Sequence, residues 1–485
     1  LIQVNTCWEA ACKILIQSGE GCMGFSDRRL VRCSAAREYR WAGVAFLVLL
    51  GLAAISCFGP PAGALPSYAR QTGQQCAACH NGFPELTPYG RLFKLNGYTF
   101  GGGQSDLPPV AAMVIPSFEH TDKALPAGAV ANNYGVNDNA DYTASLFYGG
   151  AITSNIGAFA QVTYDHTVRQ LAWDNTDVRY ANTTTLLGDE TIYGVSVNNN
   201  PTVTDVWNST PAWRFPFVSA SDSLVPTPAA ATLIEGGLAQ QVVGATAYAF
   251  WNRLVYVEIG NYHTLSVRTD KVVGVDASST SSNQGAMPYW RLAVEPKWGR
   301  HSLEVGTFGL AAALLPGRAT GVGTDNLTDY GFDTQYQFLG ERDAISLQAS
   351  WIFENQDLTA SANPVVGAAS NTHDRLRSFN IKSSYYYQQT YGATLGYFNI
   401  MGTSDPAEFG GVSANNSPNS AGFIGELDYM PFSYGGPSFW PWLNVKLGAQ
   451  YIYYTKFDGA AKNFDGAGTD ARDNNTLLMF AWFAF

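Results

Sequence analysis

Ile345-Ser346-Leu347-Gln348-Ala349-Ser350-Trp351-Ile352-Phe353 alternates at period two. Leu347, Ala349, Trp351 and Phe353 share one face, and Ser346, Gln348 and Ser350 share the other. Successive strand side chains point to opposite sides, so one face seeks oil and the other water. Similar segments fall near 110–120, 142–151, 156–165, 241–251, 253–262, 290–298, 300–309, 332–339, 376–387, 391–400, 421–430, 443–455 and 475–485. The stretch 166–240 has room for two more, placed around 190–197 and 212–218, which makes about sixteen strands.

The connections between these segments alternate between short and long. Thr153-Ser154-Asn155, Gly299-Arg300 and Gly340-Glu341-Arg342-Asp343 are short, whereas 121–141, 263–289, 310–331, 355–375, 401–420 and 456–474 are long and polar. Short periplasmic turns with long extracellular loops characterise outer-membrane barrels. A soluble β-sandwich can alternate in the same way. The last strand favours the barrel: Leu477, Met479, Ala481, Phe483 and Phe485 line one face and end in a terminal Phe. The expected fold is therefore all-β, a transmembrane barrel of about sixteen antiparallel strands over 110–485. Charged residues make up only 14% of the 485 positions, which suits short strands joined by neutral polar loops. The formal net charge of −11 argues against nucleic acid, whose phosphates need a basic stripe.

Upstream, Gln75-Cys76-Ala77-Ala78-Cys79-His80 has the C-x-x-C-H spacing of covalent c-type haem attachment. Cys76 and Cys79 would each take one vinyl group, with His80 as the proximal iron ligand. A structural disulfide, a thioredoxin-like redox pair and half of a zinc site are the alternatives. No second Cys pair follows to complete four zinc ligands, and no βαβ pattern surrounds the motif. One covalent haem c is the expected cofactor, in a helical segment over 65–109 inside the barrel or at its periplasmic mouth. Thr87-Pro88 reads as an N-cap followed by proline at the first helical position, with Tyr89, Leu92 and Phe93 on one helix face toward the haem. About 45 residues cannot bury a haem alone, so the barrel must supply the rest of the burial.

Arg28, Arg29, Arg32, Arg37 and Arg40 lead into an apolar run from Trp41 to Ile55, then Pro60, Pro61 and Ala62-Gly63-Ala64. This reads as a signal peptide over 1–64 cut after Ala64, with translation starting at Met23 as an alternative. The run is short for a spanning helix, and Ala54-Ile55-Ser56 is an imperfect lead-in for a lipoprotein at Cys57. Cys7, Cys12, Cys22, Cys33 and Cys57 all lie in this segment, so the mature protein is expected to have no disulfide.

The stretch Ala64 to Gly73, the haem motif, and Phe83-Pro84-Glu85-Leu86-Thr87-Pro88-Tyr89-Gly90-Arg91-Leu92-Phe93-Lys94-Leu95-Asn96-Gly97-Tyr98 together resemble the fused cytochrome-porin family. Characterised members are outer-membrane iron oxidases of Fe(II)-oxidising bacteria, and the layout is similar to that of the acidophile branch. The resemblance implies an oxidoreductase that takes an electron from extracellular Fe(II). One haem passes it to a periplasmic blue-copper protein or soluble c-type cytochrome. The alternative is a diffusion porin with a structural haem plug. Met113, on the first strand with Ile115, Ser117 and Glu119, is the candidate distal ligand, because a His/Met pair raises haem potential, and a methionine that only packs is the alternative. His120 and His301 rank behind it. Loop carboxylates such as Asp138, Asp141 and Asp325 are hard oxygen donors suited to Fe(II), and none is assigned as its contact.

Overall fold

The computed structural model describes residues 66–101, 108–124, 137–167, 169–219, 225–275 and 280–485. The signal-peptide reading over 1–64 lies outside the described residues.

Sixteen long strands run antiparallel. They are β1 (Val110–Thr121), β2 (Asp138–Ala151), β3 (Ile156–Asp165), β4 (Gln170–Leu186), β5 (Asp189–Asn198), β6 (Val242–Trp251), β7 (Val255–Thr264), β8 (Met287–Val294), β9 (His301–Leu315), β10 (Asp325–Leu339), β11 (Asp343–Asp357), β12 (His373–Tyr387), β13 (Tyr391–Gly402), β14 (Ser420–Tyr429), β15 (Asn444–Lys456) and β16 (Thr476–Ala484). The short pairs Ser282–Asn283 and Lys297–Trp298 both bind β9, on either side of β8 in sequence. Each strand pairs with its chain neighbours, and β1 pairs with both β2 and β16, which closes the sheet. Closure leaves no free edge and satisfies the ladder all round.

The alternation read from Ile345 to Phe353 holds, inside out relative to a soluble core. Ser346, Gln348 and Ser350 are buried, while Leu347 and Trp351 are each 43% exposed on the outer wall. Leu146, Ile259 and Leu427 repeat the pattern on β2, β7 and β14. An apolar exterior around a polar interior is the dress of a barrel that crosses a bilayer. Among the described residues no helix is long and apolar enough to do so.

Two expectations fail here. The 212–218 stretch is no strand; the sixteenth strand is β4, whose central Asp174-Asn175-Thr176-Asp177 blurs the alternation. Its buried Asp177 pairs with Arg179 at 2.6 Å, so polar residues there mark the lumen face. Nor is the alternation of connections strict. The β3–β4 link at 166–169 is short, although it lies at the long-loop end, and the β14–β15 link at 430–443 is long, although it lies at the short-turn end. That second loop covers the Cys-x-x-Cys stretch: Ala77 donates to the Ser433 carbonyl at 3.0 Å, and Trp442 packs on Ala69 and Cys76.

Among the described residues, two pieces of chain occupy the lumen. The first is the N-terminal segment with helices α1 (Pro66–Thr72), α2 (Cys76–Cys79) and α3 (Pro88–Leu95). Arg91 donates to Glu295 at 2.6 Å and to Gln335 and Gln337 at 2.9 and 2.8 Å, while Lys382 donates to Glu85 at 2.6 Å. Tyr98 donates to Asp177 on the facing wall at 2.6 Å. The second is the described part of the β5–β6 connection, 199–219 and 225–241, whose Trp207 is fully buried and has a carbonyl that accepts from Gln348 at 2.6 Å and from Gln335.

Breaking a buried ion pair strands the remaining charge, at a cost of about 3–5 kcal/mol. Arg91→Ala leaves Glu295 with Lys297 alone, 3.3 Å away. The detergent-folded barrel is expected to lose that much stability, with the 66–101 segment becoming protease-sensitive first. Thermal melts and limited proteolysis read this directly.

Candidate functional site

Thr87 caps α3 by accepting from the Gly90 amide at 3.2 Å, and Pro88 fills the first helical position. Thr87 also donates to the Ala78 carbonyl at 2.7 Å, tying the two helices together. At Gly90 they nearly touch, since a Cβ built there would lie 2.2 Å from the Cys79 carbonyl oxygen. Only glycine permits that approach.

Cys76 and Cys79 are both buried on α2, and His80 follows as its C-cap. The His80 Nδ1–H donates to the Pro84 carbonyl at 2.9 Å, which fixes the tautomer and leaves Nε2 with its lone pair. Phe83 packs edge-on against the imidazole at 4.9 Å and against Trp482 at 4.8 Å. Burial pushes the His80 pKa down to about 4, so the ring stays neutral and able to ligate a metal. Burial likewise raises both thiols, Cys79 to about 12.

A cavity of about 390 Å³ opens beside this helix pair. That is within the roughly 300–1,000 Å³ range of pockets that bury a sizeable organic ligand. Cys79, His80, Phe83 and Phe93 form one wall; Met113, Ile115, Phe147, Phe159 and Trp482, from β1, β2, β3 and β16, form another. Trp213, Pro216 and Phe217 of the lumenal connection complete it. All the strand positions lie toward the short-turn end. The misread 212–218 stretch is thus apolar because it lines this cavity, and nothing in one sequence separates that from a lipid-facing strand.

Three of the four haem-site residues read from sequence meet at one cavity: Cys79, His80 and Met113. Cys76 lies one helical turn away, packed on Ala69 and Trp442. The expected stripe on α3 splits. Phe93 faces the cavity, Leu92 packs toward Leu95 and Trp207, and Tyr89 is exposed near Phe100. His120 binds Asp138 at 2.7 Å at the far rim, and His301 meets the Tyr336 hydroxyl at 2.8 Å, so neither reaches the cavity. Asp325 is a backbone cap, accepting from the amides of Ala360 and Ser361 at 2.9 Å. Sequence reasoning missed Pro84, whose carbonyl orients His80, and Lys94, whose ammonium donates to the Val203 and Asp205 carbonyls at 2.7 Å.

The residues present fit a covalent haem. They offer two unpaired thiols, a neutral imidazole oriented through its second nitrogen, a thioether on another wall, and an aromatic cavity between.

No protein-family model matches the chain. No curated protein matches it either. Among solved structures it is similar to the outer membrane channel DcaP of Acinetobacter baumannii (TM-score 0.42, 11% identity, 78% of this chain and 96% of that one). It is also similar to an anion-selective porin from Comamonas acidovorans (0.42, 10%, 78% and 98%) and to OmpT, an outer membrane protein of Vibrio cholerae (0.39, 11%, 78% and 96%). The likeness is one of porin-like barrel architecture.

Gly90→Ala forces α2 and α3 apart and should cost about 1–3 kcal/mol, as overpacking does, read as a lowered unfolding midpoint. Lys94 gives a pH signature. Burial first, then Arg179, lowers its pKa from 10.5 to about 7. Between those values the unfolded chain holds a proton that the folded chain has released, so stability rises with pH. Lys94→Met removes this slope. The melting temperature of wild type relative to the variant should climb from near pH 7 toward pH 10.

Proposed function

We propose that this chain is an outer-membrane c-type cytochrome that oxidises extracellular Fe(II) and hands the electron to a periplasmic carrier. The observation that carries the reading is the meeting of Cys79, His80 and Met113 at one aromatic cavity inside a lumen occupied by protein. When bound, the haem supplies a one-electron iron centre. Cys76 and Cys79 would tether it and His80 would hold the iron from one side. Met113 would be the candidate second ligand, and a thioether there would favour the reduced state and a high potential. The Phe and Trp side chains of the walls would shield the haem from water on those sides, with Lys94, Asp205 and Arg214 adding polar lining. Each Fe(II) outside loses one electron and becomes Fe(III), and the carrier gains one, so no bond to carbon is made or broken. On the family resemblance the carrier is a small blue-copper protein or a soluble c-type cytochrome.

The cavity lies at the end of the barrel where turns are short and the first strand begins, the periplasmic end in the usual insertion of such barrels. A carrier would thus collect the electron there, while Fe(III) stays on the far side.

A diffusion porin in which the haem is only a plug is the second reading, favoured by the closed sixteen-strand architecture. Stopped-flow mixing of oxidised, haem-loaded protein with Fe(II) under argon separates the two. Rapid growth of reduced haem bands supports the conduit; steady ion conductance in planar bilayers with no Fe(II)-dependent reduction supports the porin. In the same preparation Met113→Ala should lower the haem potential and change the reduced spectrum. An unchanged potential would remove Met113 from the ligand set.

A further inference from the structure

The lumen face of β1 continues beyond Met113 and Ile115 to Ser117 and Glu119. Even spacing keeps these side chains on one wall, and the six steps from Met113 to Glu119 span about 20 Å toward the long-loop end. In the β1–β2 register Glu119 stands opposite Asn139, and Ser117 opposite Asp141. Cross-strand partners share a face, so Glu119, Asn139 and Asp141 form a patch of oxygen donors.

That patch has more acceptors than the protein satisfies. Glu119 is 1% exposed and Asn139 3% exposed. Ser117 donates to Glu119 Oε1 at 2.5 Å, but Glu119 Oε2 and Asn139 Oδ1 are buried with no hydrogen-bond partner. Two adjacent buried acceptors call for a shared donor or a cation. Of the nearby protein cations, His166 meets only Asp141, at the edge of the patch and 3.1 Å away, and Lys123 lies 3.6 Å from Asp473.

We propose that Glu119, Asn139 and Asp141 hold a hydrated divalent cation above the cofactor cavity. On the reading that the chain oxidises Fe(II), this is where the substrate ion rests while it gives up its electron. Carboxylate and amide oxygens are hard donors, matched to Fe(II), Mn(II) and Mg(II) rather than to soft ions. Among the described residues no three His, Cys, Asp or Glu side chains form a full ligand set, so the ion keeps part of its water shell. Below the patch, Ser145 and Thr163 bond each other at 2.9 Å, and Gln161, on the cavity wall, donates to both. This hydroxyl and amide track continues the polar wall down to the cofactor cavity.

Mn(II), which gives a spectroscopic signal without reducing haem, is the probe. Haem-loaded protein in detergent is titrated with Mn(II) near neutral pH and followed by electron paramagnetic resonance. One lumenal site is expected. Glu119→Gln, nearly isosteric, should weaken it about tenfold or more. Asp141→Asn should weaken it too, and Glu341→Gln at the opposite mouth should not. Thermal melts check that each variant is folded. Equal Mn(II) affinity in wild type and both lumenal variants overturns the site, whatever Fe(II) does to the haem. Mn(II) bound through Glu119 with no haem reduction by Fe(II) keeps the site and overturns the iron-oxidation reading instead.

Discussion

The structure depends on the need to satisfy polar groups that a closed sixteen-strand sheet turns inward. Its outer wall must be apolar, so its inner wall carries the carboxylates, amines and amides. A cylinder of this size is too wide for side chains alone to fill. Here the polar wall is met by protein. Glu85 and Arg91 of the N-terminal segment pair with Lys382 and Glu295, while Asp205 of the β5–β6 connection faces Arg291 at 3.5 Å. These pairs owe more to geometry than to net attraction, because desolvation offsets much of the Coulomb gain in buried bridges. Their consequence is register. A misplaced segment would leave several buried charges without partners at once.

Among the described residues, a largely apolar cavity lies within this polar interior. Its walls come from three sources remote in sequence: the segment bearing His80, the first and last strands, and the Trp213–Phe217 stretch of the lumenal connection. None of them makes an apolar cavity alone. The close contact at Gly90 presses the two helices together and presents Phe93 to the cavity. The hydrogen bond from His80 to Pro84 turns the imidazole so that its free nitrogen is the one available for a metal. The lumen thus acts as solvent and clamp for a segment too small to fold around a large cofactor unaided.

Much of this was legible in the sequence because two periods were clean. Alternation located fourteen strands, and the spacing of Cys76, Cys79 and His80 needs no fold to be recognised. Met113 could be placed on the lumen face by parity with Glu119 alone. What escaped were features in which local chemistry imitates something else. The Trp213–Phe217 stretch is as apolar as an outer strand because it faces a cavity. The β4 strand is polar because Asp177 and Arg179 bind each other and Tyr98 inside. The Leu92 and Tyr89 positions share a helical stripe with Phe93, yet the lumen surrounds α3, so the stripe has no single partner. The long 430–443 loop breaks the turn rule because it has a helix to cover.

The occupied lumen also bears on how a barrel of this kind can work. A pore needs continuous water, and every buried group along its axis opposes that. An electron needs no water, only closely spaced orbitals and a site whose charge change is well tolerated. Trp207 is fully enclosed, its carbonyl held by Gln335 and Gln348, and the Arg291 guanidinium stacks 4.9 Å over its ring. Opening a solute path there would break these contacts together and expose Arg291 with its carboxylate partners Asp333 and Glu304. A wall built this way crosses the middle of the cylinder, while the cavity beside His80 lies close to one mouth.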